Sequence, residues 1–151
     1  MPEVRDRTIG VIVCAADPAA LDRLVPPGHG ARVLRVAPDE TMAVAAPDFA
    51  DDVRRELADR IAALDHDALV LDVSDGWAAI GLVGDDAERA LSYLSALEPP
   101  STDGFAQGDV ARVAAKILRE PDGLLLLVPA YWRDHVRTRA IEDAGAVESR
   151  A

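Results

Sequence analysis

The chain has 151 residues, of which 50% are apolar and 28% are charged, and its formal net charge at pH 7 is −11. This composition is typical of a globular protein, and the negative charge argues against a nucleic acid partner, whose phosphates require clustered cations. No apolar run approaches the length of about 18 residues needed for a membrane helix, and no secretory signal is evident, so we expect a cytoplasmic protein with no membrane span.

The first elements of the chain are a buried strand and a short helix. The apolar run Thr8–Cys14 predicts the strand, in which we expect the single cysteine, Cys14, to be a small buried side chain. Asp17-Pro18 is typical of a helix start, so Pro18–Val25 predicts the helix. His29, between two glycines, is predicted to be an exposed loop residue without a partner.

A hairpin and a long amphipathic helix follow. Ala31–Val36 and Thr41–Ala46 predict two strands joined by a turn at Pro38-Asp39-Glu40. The next helix, which starts at Pro47-Asp48, carries apolar residues at helical spacing, and we interpret this face as core. The predicted buried residues of this helix are Phe49, Val53, Leu57, Ile61 and Leu64.

The middle of the chain predicts a second hairpin. The apolar runs Leu69–Val73 and Trp77–Val83 flank Ser74-Asp75-Gly76, and Asp-Gly between apolar runs is a strong hairpin signal. Asp85 is the predicted N-cap of the helix that follows, with Glu88 three residues later as its capping-box partner.

The second half of the chain repeats this order of elements. Glu98–Gly108 predicts a loop, and Val110–Leu118 and Leu124–Val128 predict two strands joined by a turn. The final helix is predicted over Tyr131–Ala144, with Gly145 as its C-cap. Its predicted buried set is Trp132, Val136, Ala140 and Ile141.

An internal repeat becomes visible when the two halves are overlaid. Pro38-Asp39 matches Pro121-Asp122 at an offset of 83 residues, and the same offset places Phe49 on Trp132, which predicts Trp132 as a core residue. Each half reads β-α-β-β-α. The sequence therefore predicts an α+β fold of two repeated ferredoxin-like halves, with antiparallel sheets and helices packed on them. We expect one domain over residues 1–151, with repeats at 8–66 and 67–145.

Several motifs resemble a known family. Asp72-Val73-Ser74 and Gly84-Asp85-Asp86-Ala87 resemble the strand, turn and helix start of the gamma subunit of heterotetrameric sarcosine oxidase. More broadly, they are similar to the folate-dependent aminomethyltransferase (glycine-cleavage T-protein) superfamily. Val36–Glu40 resembles a hairpin of that family, and Phe105–Gly108 resembles the entry to its next strand. Asp122–Pro129, followed by Tyr131-Trp132, resembles its closing hairpin and helix. The likeness covers about residues 8–145.

The resemblance implies a non-catalytic gamma-like subunit, or interaction module, of a flavin- and folate-dependent sarcosine oxidase-type complex. Its partners would be the larger oxidase subunits, in a hetero-oligomer. The resemblance also implies that the folate, FAD, FMN, NAD and zinc sites lie on those other subunits. It therefore transfers no catalytic residue to this chain, and we expect none here.

Two further functions stay open from the sequence. The first is a free-standing tetrahydrofolate-binding protein of one-carbon metabolism, in which a pterin stacks on Trp77 or Tyr131 between the halves and an arginine such as Arg112 binds the glutamate tail. The second is a homodimeric regulatory module. Ser74, together with His66 or His135 and one of several aspartates, would formally allow a catalytic triad. No nucleophile-elbow motif accompanies them. No Cys/His grouping has the spacing of a zinc site, so we expect no metal.

Overall fold

The computed structural model describes residues 2–150, except for the side chains of residues 147 and 148. The chain divides into two compact units. Thr8–Asp75 forms the first, which we call the N-unit. The second, the C-unit, combines the chain from Gly76 onward with the N-terminal strand, β1 (Glu3–Arg7).

The N-unit is a ferredoxin-like βαββαβ unit. It contains β2 (Gly10–Ala15), α1 (Pro18–Asp22), β3 (Arg32–Ala37), β4 (Glu40–Ala45), α2 (Ala50–Ala62) and β5 (Leu69–Asp72). The strands are antiparallel in the order β3-β4-β2-β5. The buried side chains of Val53 and Leu57 on α2 pack against Ile12 and Ala43 of the sheet, which forms the core that the apolar stripe predicts.

The C-unit repeats this topology with one added strand. It contains β1, β6 (Trp77–Val83), α3 (Ala87–Leu94), β7 (Phe105–Val110), β8 (Val113–Glu120), β9 (Gly123–Pro129) and α4 (Arg133–Ser149). Its antiparallel order is β1-β6-β9-β8-β7, in which β7 is an extra edge strand. Ile80 and Leu126 of the sheet pack with Val136 and Ala140 of α4 in one buried cluster.

The predicted duplication is confirmed by the strand register. Pro38-Asp39 and Pro121-Asp122 are both two-residue turns, closed by the pairs Ala37–Glu40 and Glu120–Gly123. Both second helices follow a 3₁₀ turn, Pro47–Phe49 in one unit and Ala130–Trp132 in the other, again 83 residues apart. The α+β fold class is therefore as predicted. The extent of the repeats, 8–66 and 67–145 within a single domain, stays a prediction.

The predicted hairpin at Ser74-Asp75-Gly76 is wrong. β5 pairs with β2, whereas β6 pairs with β1 and β9, so the two strands belong to different sheets. Ser74–Gly76 is a 3₁₀ turn. The Ser74 backbone N–H donates to Asp72 Oδ1 at 2.9 Å, and the Ser74 hydroxyl accepts the Val11 N–H at 2.9 Å. These side-chain contacts end β5 and lead the chain into the next unit, instead of folding it back on itself.

The predicted loop Glu98–Gly108 and strand Val110–Leu118 also need correction. Phe105–Val110 is strand β7, and β8 begins only at Val113. Between them, Ala111 and Arg112 have φ values of 50° and 66°, which belong to the left-handed region. The sequence contains no signal for this turn, because residues with positive φ are usually Gly, Asn or Asp.

Three predicted helix ends are wrong. α3 begins at Ala87 without a side-chain cap, so Asp85 is not its N-cap, and Glu88 forms an ion pair with Arg119 at 2.5 Å instead of closing a capping box. α1 ends at Asp22 and leaves Val25 exposed. α4 continues through Gly145, which is therefore not a C-cap.

Three residues predicted to be buried are exposed. Phe49 and Trp132 are 42% and 43% exposed, and Ile141 is 45% exposed. Phe49 and Trp132 are the last residues of the two 3₁₀ turns, where three residues complete a turn, so an extrapolation of the α-helical period misplaces them. Val53, Leu57, Ile61, Val136 and Ala140 are buried as predicted.

Candidate functional site

The three predicted binding residues lie at one end of the C-unit sheet. Trp77 is the first residue of β6 and pairs with Pro129, the last residue of β9. Tyr131 follows two residues later, and Arg112 directly precedes β8, which runs antiparallel to β9. The register thus places Trp77, Arg112 and Tyr131 at the same end of the sheet, although they are far apart in the sequence.

Trp77 and Tyr131 nevertheless have different surroundings. Ala78 and Ile80 belong to the core beneath the helices, so the alternation of a strand turns Trp77 to the opposite face. There the ammonium group of Lys116 lies 5.4 Å from the centre of the Trp77 ring, a cation–π contact. Tyr131 lies in the 3₁₀ turn that leads into α4 and is 81% exposed. The two rings do not form a common stacking site.

The Ala111-Arg112 turn is held by contacts that the sequence does not predict. His135 Nε2 donates to the Ala111 carbonyl at 3.0 Å, and the Ala111 N–H donates to the Leu94 carbonyl at 2.7 Å. The Trp132 ring meets the His135 ring edge-on, with 5.6 Å between centroids. These contacts stabilise two consecutive non-glycine residues at positive φ and present Arg112 to solvent at the tip of the turn.

Ser74 takes part in local structure, not in a nucleophile–base pair. Its hydroxyl donates to Asp72 Oδ1 at 2.6 Å and accepts the Val11 N–H, as expected for a side chain that organises its own turn. The nearest acidic partner of His66 is Asp67, at 3.6 Å, and the His66 side chain is 91% exposed. His135 bonds to a backbone carbonyl. In residues 2–150, no hydrogen bond joins Ser74 to either histidine.

His29 is an exposed loop residue, as predicted, but the expectation that it has no partner is wrong. Its ring stacks on Phe49 with 5.1 Å between centroids, and its Nε2 lies 3.2 Å from Glu56 Oε1. Glu56 Oε2 accepts the Gly28 N–H at 2.9 Å. That backbone donor is the main reason why the pKa of Glu56 is below its ordinary value of 4.5. This set of contacts fastens the loop before β3 to α2.

One acidic turn has the geometry of a weak metal site. Among the described residues, Asp65, His66 and Asp67 place potential ligand atoms within 4.8 Å of one another. The Asp65 carboxylate already accepts the N–H groups of Asp17 and Asp67, at 2.8 and 3.0 Å, and these bonds lower the pKa of Asp65. His66 and Asp67 project into solvent, so we interpret this turn as a structural cap.

Cys14 is fully buried in β2, as predicted. Burial is the main cause of its raised pKa, to which the negative charge of Asp65 adds. A thiol of this kind stays protonated and unreactive near neutral pH.

Three surface hollows lie away from the predicted binding residues. The first, of about 390 Å³, is lined by Pro2, Glu3, Val4, Ile141 and Ala144. The second, of about 240 Å³, lies between the start of α3 and the β8–β9 turn, and the third, of about 370 Å³, lies between α1 and the end of α2. None of these three hollows is lined by Trp77, Arg112 or Tyr131.

These features define a class of protein: two ferredoxin-like units in one chain, in which Ser74 and His135 are engaged in local structure. None of the helices within residues 2–150 is long and apolar enough to cross a membrane. No protein-family model matches the sequence, and no curated protein sequence matches it.

Solved structures show where this fold occurs. A chain of the heterotetrameric sarcosine oxidase from Corynebacterium sp. U-96, in complex with pyrrole 2-carboxylate, superposes with a TM-score of 0.74 at 18% identity. The match covers 96% of this chain and 84% of that one. The predicted resemblance is therefore confirmed at the level of the fold.

Two other structures are similar. The glycine cleavage system aminomethyltransferase T from Bartonella henselae matches with a TM-score of 0.66 at 14% identity, over 93% of this chain but only 45% of its own length. The regulatory subunit of aspartate kinase from Thermus thermophilus matches with a TM-score of 0.57 at 11% identity, over 93% and 97% of the two chains.

Proposed function

We propose that this chain is a non-catalytic, gamma-like subunit of a hetero-oligomeric sarcosine oxidase-type complex. The observation that carries the proposal is the fold match to a chain of heterotetrameric sarcosine oxidase, which covers 96% of this chain and 84% of that one. In this proposal the flavin, nicotinamide and folate sites belong to the larger partner subunits, and this chain contributes a docking surface in the cytoplasm.

The described side chains support a role without chemistry. Ser74 and Asp72 organise a turn, Cys14 is buried with a raised pKa, and His135 supports a backbone carbonyl. A nucleophile requires a base within hydrogen-bond reach, and a general acid or base requires a site where substrate can approach it. The contacts of these residues are those of a scaffold.

Co-purification from the native cell tests this proposal. The chain is tagged at its own locus and recovered under native conditions, and bound subunits are identified together with their flavin absorbance. We expect a stoichiometric flavoprotein partner, which a reciprocal tag on that partner should also recover. Recovery of the chain alone in both directions would contradict the proposal.

Tetrahydrofolate binding by this chain is a second candidate, favoured by the fold shared with the aminomethyltransferase. The predicted residues do not fit a pterin together, because Lys116 lies over the Trp77 ring while the Tyr131 ring contacts the ring of Trp132. We therefore expect no saturable change in tryptophan fluorescence when the isolated chain is titrated with tetrahydrofolate. A saturable change that Trp77→Phe abolishes would establish this candidate instead.

A homodimeric regulatory module is a third candidate, favoured by the fold shared with the aspartate kinase regulatory subunit. Light scattering over a range of concentrations separates it from the leading proposal. We expect the mass of one chain throughout. A mass that doubles with concentration would favour the regulatory module.

A further inference from the structure

Two edge strands, β1 and β5, occupy equivalent places in the two units. Ile12 of β2 and Ile80 of β6 pair with residues 83 apart, Ala43 and Leu126, and are therefore equivalent. On the other side, Ile12 pairs with Asp72 of β5, and Ile80 pairs with Asp6 of β1. The strands β5 and β1 are thus the same topological strand of each unit, one placed after its unit and the other at the N-terminus.

This register aligns the two strands residue by residue. Leu69-Val70-Leu71-Asp72 aligns with Glu3-Val4-Arg5-Asp6. Both strands have a valine at the second aligned position and an aspartate at the fourth. Val70 and Val4 each pack against the core of their own unit. The two outward positions differ completely, since leucines in β5 replace a glutamate and an arginine in β1.

The difference lies in chemistry and not in exposure. The side chains of Glu3 and Arg5 are 58% and 50% exposed and form an ion pair at 2.7 Å. Leu69 and Leu71 are 54% and 45% exposed. Charged side chains protect a free sheet edge from pairing with another chain, whereas exposed apolar residues invite it. The N-unit therefore lacks the protection that its duplicate carries.

The backbone of β5 is also available for pairing. β5 is the terminal strand of its sheet, and the Val73 N–H donates to the Val11 carbonyl at 2.9 Å. Because hydrogen-bonded pairs alternate along antiparallel strands, Leu69 and Leu71 bond toward β2. The N–H and C=O groups of Val70 and Asp72 consequently point toward the free edge.

Acidic residues flank the apolar edge at both ends. Asp65 and Asp67 precede it, and Asp72 and Asp75 follow it. Pairing with a second copy of the chain would bring these carboxylates together, and like charges across paired strands are destabilising. A strand flanked by cations would instead complement them.

We propose that the free edge of β5 is a β-augmentation site for an extended segment of a partner protein, with apolar residues at alternate positions and lysine or arginine on both flanks. Main-chain hydrogen bonds to Val70 and Asp72 give affinity, and apolar contact with Leu69 and Leu71 gives register. This inference deepens the proposed function and rests on it for the existence of a protein partner.

A synthetic peptide of alternating valine and threonine, with two lysines at each end, tests the edge directly. The readout is amide hydrogen exchange of the intact chain, followed by NMR. We expect saturating peptide to slow the exchange of the Val70 and Asp72 amides by about tenfold or more. A peptide flanked by glutamates should bind more weakly, with a difference that shrinks as salt is added. No slowing at Val70 and Asp72, or equal binding of both peptides, would overturn the proposal.

The duplicate strand supplies the matched variants. Leu69→Glu with Leu71→Arg copies the surface of β1 onto β5, and we expect peptide binding to weaken by about tenfold or more with an unchanged melting temperature. Glu3→Arg with Arg5→Glu is the control and should bind like the original chain. Equal binding by the Leu69/Leu71 variant would overturn the proposal. If that variant does not fold, the exchange of Val70 and Asp72 in the original chain still decides.

Two further outcomes are distinguished. If the protection of the Val70 and Asp72 amides increases with protein concentration in the absence of peptide, the occupant is a second copy of the chain. That result would overturn this proposal. When the Leu69/Leu71 variant is tagged at its own locus, loss of the partner subunits supports β5 as the docking edge. Recovery of those subunits by the variant would overturn the assignment of β5 as the docking edge but would leave the proposed function standing. Failure of the original chain to recover them would overturn the proposed function itself.

Discussion

Glu56 joins the loop before β3 to α2. Its carboxylate accepts the Gly28 N–H, lies 3.2 Å from His29 and lies 3.7 Å from Arg60. The backbone donor is the main reason why its pKa is lowered. A carboxyl group whose pKa is lowered by folding stabilises the folded state above its ordinary value of 4.5, and this contribution is lost as the pH falls through the folded-state pKa.

We therefore expect an NMR titration to give a pKa for Glu56 below its ordinary value of 4.5. The Gly28 amide shift should follow the same curve, and in Glu56→Gln that amide should exchange faster and no longer respond to acid. Asp59→Asn changes the same net charge on the same helix and should leave the Gly28 amide unchanged. A Glu56 pKa at or above the ordinary value would contradict this assignment.

We expect alanine substitutions at Gly145 and Gly123 to change the free energy of unfolding in opposite directions. Gly145 lies inside α4, and a Cβ there would meet nothing within 4 Å. Gly145→Ala should therefore raise the free energy of unfolding by about 0.5–1 kcal/mol. A Cβ at Gly123, where φ is +157°, would overlap the Leu82 backbone carbonyl, so Gly123→Ala should lower it by more than about 2 kcal/mol. Urea denaturation of both variants checks the pair, and effects of the same sign would contradict it.

Inside α2 the helical period of the sequence predicts the buried residues correctly. Val53, Leu57 and Ile61 follow the helical period inside α2 and are buried. Phe49 lies one residue before that helix, in a 3₁₀ turn, and its side chain stacks on His29 instead of entering the core. The same error recurs at Trp132, because the duplication repeats the turn together with the helix.

At the level of elements, β1 directly precedes the N-unit in the sequence but belongs to the sheet of the C-unit. It pairs along its length with β6, from Glu3–Val83 to Arg7–Ala79. The sequence predicts strands from apolar runs, and the alternating charges of β1 give no such run. Its pairing is also non-local, so no turn signal identifies its partner. The same limitation explains the wrong hairpin at Ser74–Gly76, where two predicted strands exist but pair elsewhere.

Deletion of residues 2–7 should therefore destabilise the C-unit and not the N-unit, although these residues directly precede the N-unit in the sequence. We expect hydrogen exchange to show lost protection of the β6 amides that faced β1, with the β2 amides unchanged. The charge-swapped chain, Glu3→Arg with Arg5→Glu, should retain protection in both strands. Greater loss of protection in β2 than in β6 would contradict the topology.

At the level of the whole molecule, duplication gives two units with the same topology and different surfaces. The sequence predicts the α+β class and the repeat, because turns and helix starts leave local signals. It places Trp77, Arg112 and Tyr131 among the binding candidates, but only the strand register shows that they share one end of a sheet. The edge formed by Leu69 and Leu71 emerges only from the comparison with β1.

Native mass spectrometry of the chain, produced together with candidate flavin-bearing oxidase subunits from the same cell, tests whether it is a docking subunit. We expect one hetero-oligomer that contains this chain and flavin-bearing subunits in fixed stoichiometry. If the chain stays at the mass of a single copy while those subunits assemble without it, this chain is not a docking subunit of the complex.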